Sequence, residues 1–190
     1  IKLVVPGKNQ KALHLSVLNK FTEAQSLPSF LEPCKEGLDV GLLSEAGCPG
    51  IADPGAEIVK FAHEMGIRVI PLVGPSSILL AMMGSGMNGQ SFTFHGYLPI
   101  DKKERKQEVK NLERISAEKN QAQIFIETPY RNNQLLEDLI QTLHPATRLC
   151  VACDLTLATE YIITKPAGDW SKTKVDLHKR PTIFIIQKEN

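Results

Sequence analysis

Residues 44–77 read SEAGCPGIADPGAEIVKFAHEMGIRVIPLVGPSS, and this stretch decides the fold. An apolar run at 40–43 (VGLL) feeds its glycine- and proline-rich opening loop. A helical segment follows, with Ile58, Val59, Ala62 and Met65 recurring at helical spacing. Asp53 suits the N-cap and Pro54 the first helical position. Gly66 is placed to end the helix. A second apolar run at 67–73 then leads to Gly74-Pro75-Ser76-Ser77. The pattern predicts a βαβ unit with parallel strands. In open α/β sheets ligands bind outside the carboxyl ends of the strands. Both small-residue loops fall on that expected edge. Gly and Pro also make tight turns without any ligand, so composition alone leaves both readings open.

Outward from this unit the order continues in both directions. Residues 1–7 (IKLVVPG) read as a first strand ending in a Pro-Gly turn, or equally as the tail of an earlier helix or loop. Residues 8–37 carry a helical pattern broken by Pro28 and Pro33. Downstream, a short helix at 78–83 starts from a serine cap. Gly84-Ser85-Gly86-Met87-Asn88-Gly89 matches G-x-G-x-x-G, but that motif needs a strand before it and a helix after it. Here the order is reversed, so 85–89 reads as a linker between a domain at 1–84 and another at 90–190. Strands are expected at 92–97, 123–126, 149–153, 161–164 and 182–187, and helices at 101–119 and 133–143. Residues 170–179 read as a loop or short helix. The later strands have no long helices between them, so part of their sheet is antiparallel. The expected fold class is α/β: two small α/β domains, with a mainly parallel N-terminal sheet and a mixed C-terminal one.

With 190 residues and 42% hydrophobic content, the chain can bury a sizeable core. Lys and Arg total 22 against 21 Asp and Glu. Global charge therefore gives no nucleic-acid footprint, though a local patch could still serve one. No apolar run approaches the ~18 to 20 residues of a membrane span, and no membrane partner is expected. The sequence starts at Ile1 and carries no recognisable signal peptide, as a processed form or a piece of a longer chain would. Four cysteines in a chain this large favour a reducing compartment, the cytoplasm. Cys150 and Cys153 match C-x-x-C, but they follow Leu149 in a strand-like run, and Cys34 and Cys48 form no second ligand pair. They read as buried thiols. The five histidines are scattered, so no metal site is expected. No G-x-S-x-G, H-E-x-x-H or P-loop signature is present.

Four separated segments, SEAGCPGIADPG, GIRVIPLVGPSS, GQSFTFHGYLP and FIETPYR, resemble the tetrapyrrole methylase family. Order and spacing hold from about Asp39 onward. The nearest resemblance is to the branch that methylates a cytidine ribose 2′-hydroxyl in small-subunit ribosomal RNA. The resemblance implies an S-adenosylmethionine (SAM) dependent methyltransferase of two α/β domains, with cofactor in the cleft between them, acting as a homodimer on ribosomal RNA. Segment by segment it places cofactor contacts at Gly47, Cys48, Pro49 and Ala52, at Ser76 and Ser77, at Glu127, near Thr164, and at Thr182. It also makes the basic cluster Lys102, Lys103, Arg105 and Lys106, just after GYLP, the expected RNA-binding residues, with a solvated helix face as the plain alternative. Glu45 and Glu127 are the candidates for a base; Glu45 also reads as a partner of loop amides, Glu127 as a cofactor contact or loop cap.

Two departures bear on these expectations. Only about 40 residues precede the central motif, so the family's opening strand, its loop and the second strand are expected to be missing from these residues. Cys48 and Gly50 also differ from the ribosomal RNA branch, which more often has Thr and a larger apolar residue there. Two further functions stay open. One is methylation of a tetrapyrrole, in a cleft with apolar walls at Met82, Met83 and Met87. The other is a degenerate relative that binds a nucleotide or only dimerises.

Overall fold

The computed structural model describes residue 3 and residues 5–189. The first-strand reading of 1–7 rests on residues 1, 2 and 4, which lie outside the described residues. Contacts divide the chain into two compact units, Ile1–Gly74 and Pro75–Asn190.

Within the first unit, two 3-10 segments (Gln10–Ala12 and Ala24–Leu31) precede helices α1 (Glu32–Lys35) and α2 (Ala56–Glu64). The α2 stripe behaves as its spacing demands. Ile58 and Ala62 are buried with Leu31, and Leu18, Phe30, Leu42, Val59, Phe61, Met65, Ile67 and Val69 pack around them. Gly66, at φ 70°, ends the helix. Its amide donates to His63 O at 3.1 Å and that of Ile67 to Ala62 O at 2.8 Å, the paired bonds of a Schellman motif. The start differs from expectation. The N-cap is Gly55, at φ 148°, and not Asp53. A side chain there is blocked: a Cβ on Gly55 would meet Leu42 Cδ2 at 2.9 Å and Gly50 N at 3.1 Å. The close approach of two backbone segments, rather than a capping carboxylate, sets the entry to α2.

The two runs expected as strands, 40–43 and 67–73, join no ladder; the first unit has no strand among the described residues. The mainly parallel N-terminal sheet is therefore not present as such. The physical reason is visible along 67–73. Ile67 and Val69 turn to α2, while Ile70 and Leu72 are 61% and 87% exposed. The period-2 alternation is there, but a strand exists only where a neighbour pairs its backbone.

The second unit is a five-stranded mixed sheet of order β1-β2-β5-β3-β4. Its strands are β1 (Phe92–Tyr97), β2 (Ala122–Ile126), β3 (Arg148–Cys153), β4 (Tyr161–Pro166) and β5 (Thr182–Gln187). Only β1 and β2 are parallel; β2–β5, β5–β3 and β3–β4 are antiparallel. Side chains alternate between two cores. Phe125, Leu149, Val151, Phe184 and Ile186 meet helices α4 (Lys102–Lys119), α5 (Asn132–Thr142) and α6 (Ala167–Trp170) on one face. Ile124, Cys150, Ala152, Ile183 and Ile185 meet α3 (Ser77–Ser85) on the other. This is the α/β class expected. Cys150 and Cys153 fall three apart on β3 and so on opposite faces, one in each core. Burial pushes both thiols up, which suits inert core residues.

The division between units falls at Gly74, ahead of the expected linker at 85–89. That stretch is bound to the sheet. Thr164 Oγ1 donates to Ser85 O at 2.8 Å, Arg148 Nη1 to Gly86 O at 3.0 Å, and Asn88 N to Gln187 Oε1 at 2.8 Å. Met87 is buried in the α3 core. Gly86, at φ 66°, forms the left-handed end of α3.

Candidate functional site

In the first unit the candidate residues form the loop between 43 and 55. Three residues within six positions are left-handed: Gly47 at 73°, Gly50 at 78° and Ala52 at 56°. A Cβ on Gly47 would meet nothing within 4 Å, so a ligand can approach the backbone there. Pro49 and Ala52 are exposed and Cys48 is half-buried. Ser44 fastens the loop's start: its hydroxyl donates to Ala46 O at 2.8 Å and accepts from Ala46 N at 3.3 Å. That is the role expected of Glu45, whose side chain is exposed instead.

In the second unit, antiparallel pairing collects several chain segments at one edge of the sheet. The carboxyl end of β2 lies beside the start of β5 (Ile126 opposite Ile183), and the end of β3 beside the same start (Cys153 opposite Thr182). Glu127 leaves β2 there. Its Oε1 accepts from Thr128 N and from Arg131 Nη2, each at 2.6 Å, and its side chain is 2% exposed. It is the brace of the 127–131 turn. Thr182 is buried, its hydroxyl donating to Arg180 O at 3.0 Å. Arg180 in turn donates from Nε to Asp154 Oδ2 at 2.7 Å and from Nη2 to Thr159 O at 2.8 Å. Thr159 Oγ1 closes the ring on Asp154 at 2.8 Å. Burial pushes the Asp154 carboxyl up, but the bonds from Arg180 and Thr159 outweigh it and hold the group below its ordinary value. Arg180 is raised, chiefly by its bond to Asp154.

This edge also concentrates backbone strain. Asp154, Thr156 and Lys179 have φ of 51°, 71° and 59°, a conformation that costs of order 1–3 kcal/mol for non-glycine residues and persists where surroundings impose it. Thr164 stands apart, inside β4 opposite Cys150 rather than at a strand end. Ser76 is the N-cap residue of α3 by position, with its side chain making no capping bond, and Ser77 opens the helix.

The profile of the family described as Tetrapyrrole (Corrin/Porphyrin) Methylases matches residues 8–170. The chain belongs to this family. It is similar to the proteins named Ribosomal RNA small subunit methyltransferase I of Escherichia coli O157:H7 (31% identical, covering 91% of this chain and 60% of that protein) and of Haemophilus influenzae (34% identical, 90% and 60%). The chain thus spans about three fifths of these curated relatives. Its fold resembles the solved structure of the methyltransferase CobJ, with a TM-score of 0.63 at 19% identity, over 97% of this chain and 79% of that one.

Against this family background, the expected basic cluster needs correcting. Arg105 is 7% exposed. Its Nε and Nη2 donate to Asp138 Oδ2 at 3.0 and 2.5 Å, and its Nη1 to Pro99 O at 3.1 Å and Ile100 O at 2.6 Å. It holds α4 to α5 and offers nothing to a phosphate. The sequence did carry the signal: 105, 109, 112, 113 and 116 are the buried positions of α4, so Arg105 sits on the helix's inner stripe. The outer stripe is Lys103, Lys106, Lys110 and Arg114, one helical turn apart. With Lys102 they bound an open depression of about 1050 Å³, where Asp101 and Glu108 are the acids. Lys110 and Arg114 were missed because they lie beyond the dense run at 102–106.

The tetrapyrrole methylase chain also loses two of the apolar walls expected for a porphyrinoid cleft. Met82 and Met87 are 6% and 9% exposed and belong to the core beneath α3; only Met83, at 80%, faces solvent. Asp138, Asp154 and Arg180 were not legible as functional or structural partners, because each acts through a residue at least 26 positions away.

Proposed function

We propose that this chain is the larger part of a SAM-dependent methyltransferase whose acceptor is a ribose 2′-hydroxyl of small-subunit ribosomal RNA. One observation carries the reading: about 90% of the chain aligns, at 31–34% identity, with relatives named for that ribosomal RNA. The local geometry fits. The 44–52 loop presents backbone with open space at Gly47, which suits an extended, nucleoside-containing cofactor. The family resemblance assigns the cofactor contacts to Gly47, Cys48, Pro49, Ala52, Ser76, Ser77, Glu127, Thr164 and Thr182. When bound, SAM supplies an electrophilic methyl group on a sulfonium centre.

The chain's contribution is then alignment, since an in-line displacement gains much of its rate from orientation. Glu127 holds its turn, its Oε1 accepting from Thr128 N and Arg131 Nη2. Glu45 remains the exposed carboxylate of the loop. The outer α4 stripe makes phosphate contacts, which gives salt-dependent binding. A homodimer, which rests on the family resemblance, and a cytoplasmic location, which rests on the four free cysteines, complete the reading.

The test is transfer of labelled methyl from SAM to small ribosomal subunits taken from cells lacking the activity. Incorporation at a ribose of the small-subunit RNA is expected. Incorporation into a porphyrinoid instead would move the acceptor to the tetrapyrrole side of the family. Failure of the full-length protein to bind SAM in a calorimeter would overturn both.

A further inference from the structure

The FIETPYR segment contributes more to the sheet edge than Glu127. Tyr130 is 69% exposed, yet both turns around it are fixed. Arg131 N donates to Thr128 O at 2.9 Å, and Glu127 braces the same turn. Facing it is the 176–180 turn. Lys179 N donates to Pro129 O at 3.0 Å, and Asp176 Oδ1 accepts from His178 N at 2.9 Å. Lys179 is held left-handed at φ 59°, and that backbone brings its ammonium to 5.9 Å from the Tyr130 centroid. The His178 ring meets Tyr130 edge to face at 5.8 Å.

Two turns and one left-handed lysine hold a ring, an imidazole and an ammonium together at the solvent boundary. Of the acids next to them, Glu127 is paired with Arg131, and Asp176 accepts from backbone and from Asn133 Nδ2. The cluster offers an exposed aromatic ring with the Lys179 ammonium over it, while Asp176 keeps its negative charge next to His178. That combination binds an unpaired nucleobase on its π-face and the adjacent phosphate on the cation.

We propose that Tyr130, with His178 and Lys179, forms a stacking platform for one unpaired base of the RNA substrate. The proposal rests on the RNA reading above and adds to it that the bound RNA is single-stranded at this point. The platform is continuous with Thr182 through Arg180, whose carbonyl accepts from both Thr182 Oγ1 and Asn132 Nδ2.

The test compares the protein with its Tyr130→Ala and Tyr130→Phe variants on an oligoribonucleotide carrying 2-aminopurine, in single-stranded and duplex form. Stacking quenches 2-aminopurine fluorescence. The protein and Tyr130→Phe should quench the single strand. Tyr130→Ala should lose the quenching and about tenfold in single-strand affinity, with duplex affinity changed less than twofold. Circular dichroism should show all three folded alike, since the side chain is exposed. Unchanged single-strand affinity in Tyr130→Ala, or equal loss on single strand and duplex, would overturn the platform while methyl transfer to small subunits keeps the RNA reading. Absence of RNA binding by the unmodified protein would overturn both.

Discussion

The segments 67–73 and 182–187 carry the same kind of signal, a short run of branched apolar residues, and meet opposite fates. In 182–187 every residue is buried, because β2 and β3 pair with both sides of the backbone and helices cover both faces. In 67–73 one face meets α2 through Ile67 and Val69 and the other is open, with Ile70 and Leu72 largely in solvent. Alternation records which side chains seek cover; it does not record whether a neighbouring strand is at hand. The difference between the units is one of backbone partners more than of hydrophobicity.

The largest expected effect lies in the second unit. Arg105→Ala would leave the Asp138 carboxylate, 1% exposed, with only long contacts from Lys102 at 3.6 Å and Gln134 at 3.4 Å, and should cost about 3 kcal/mol in urea unfolding. Lys110→Ala on the outer face of the same helix should stay within about 0.5 kcal/mol. Equal effects would abolish the distinction between the two stripes. Next comes amide exchange. The amides of 183–186 should be among the slowest in this chain and those of 68–73 among the fastest; equal protection would mean that 67–73 has found a partner strand. Gly55→Ala tests the first unit's own organisation. Its Cβ meets backbone as well as Leu42, so a loss of about 1–3 kcal/mol is expected, read from the melting curve.

The Asp154–Arg180 ring yields a smaller, pH-dependent effect. Asp154 has a lowered folded value, so its stabilisation is present above the unfolded carboxylate pKa, near 3.9. It fades as pH falls below that value, through the folded one. Asp154→Asn should flatten the acid limb of the stability curve; an unchanged limb would show that the ring contributes nothing there. Smallest of all, Ala52→Gly should raise stability by about 1 kcal/mol or less by relieving a left-handed alanine.

How much was legible follows from the same contrast. The strand at 182–187 was placed to the residue, and α4 and α5 to within one, because their stripes face a continuous core. The antiparallel character followed from the missing helices. The N-cap of α2 was misplaced because Asp53-Pro54 satisfies a local rule, whereas the Gly50–Gly55 approach is a tertiary one. Residues 85–89 looked like a linker because glycine density resembles looseness; their anchors, Thr164, Arg148 and Gln187, lie 62 to 99 residues away. Arg105 stands in a dense row of charges along the sequence, but around the helix it falls on the buried stripe. Of the candidate site, the small-residue loop at 47–52 and the strand ends near Glu127 and Thr182 are legible as local patterns, whereas the meeting of Tyr130 with His178 and Lys179 is a tertiary contact no local pattern records.

The order β1-β2-β5-β3-β4 has a consequence in time. The central strand is the last of the sheet to be made. During synthesis, at roughly 5–20 residues per second, β1–β2 and β3–β4 exist first as two separate ribbons. Each has an apolar edge that β5 alone will join. For those seconds the nascent chain carries two open templates for mispairing with another copy. Loss or delay of residues 182–187 would therefore favour aggregates over a smaller folded remnant.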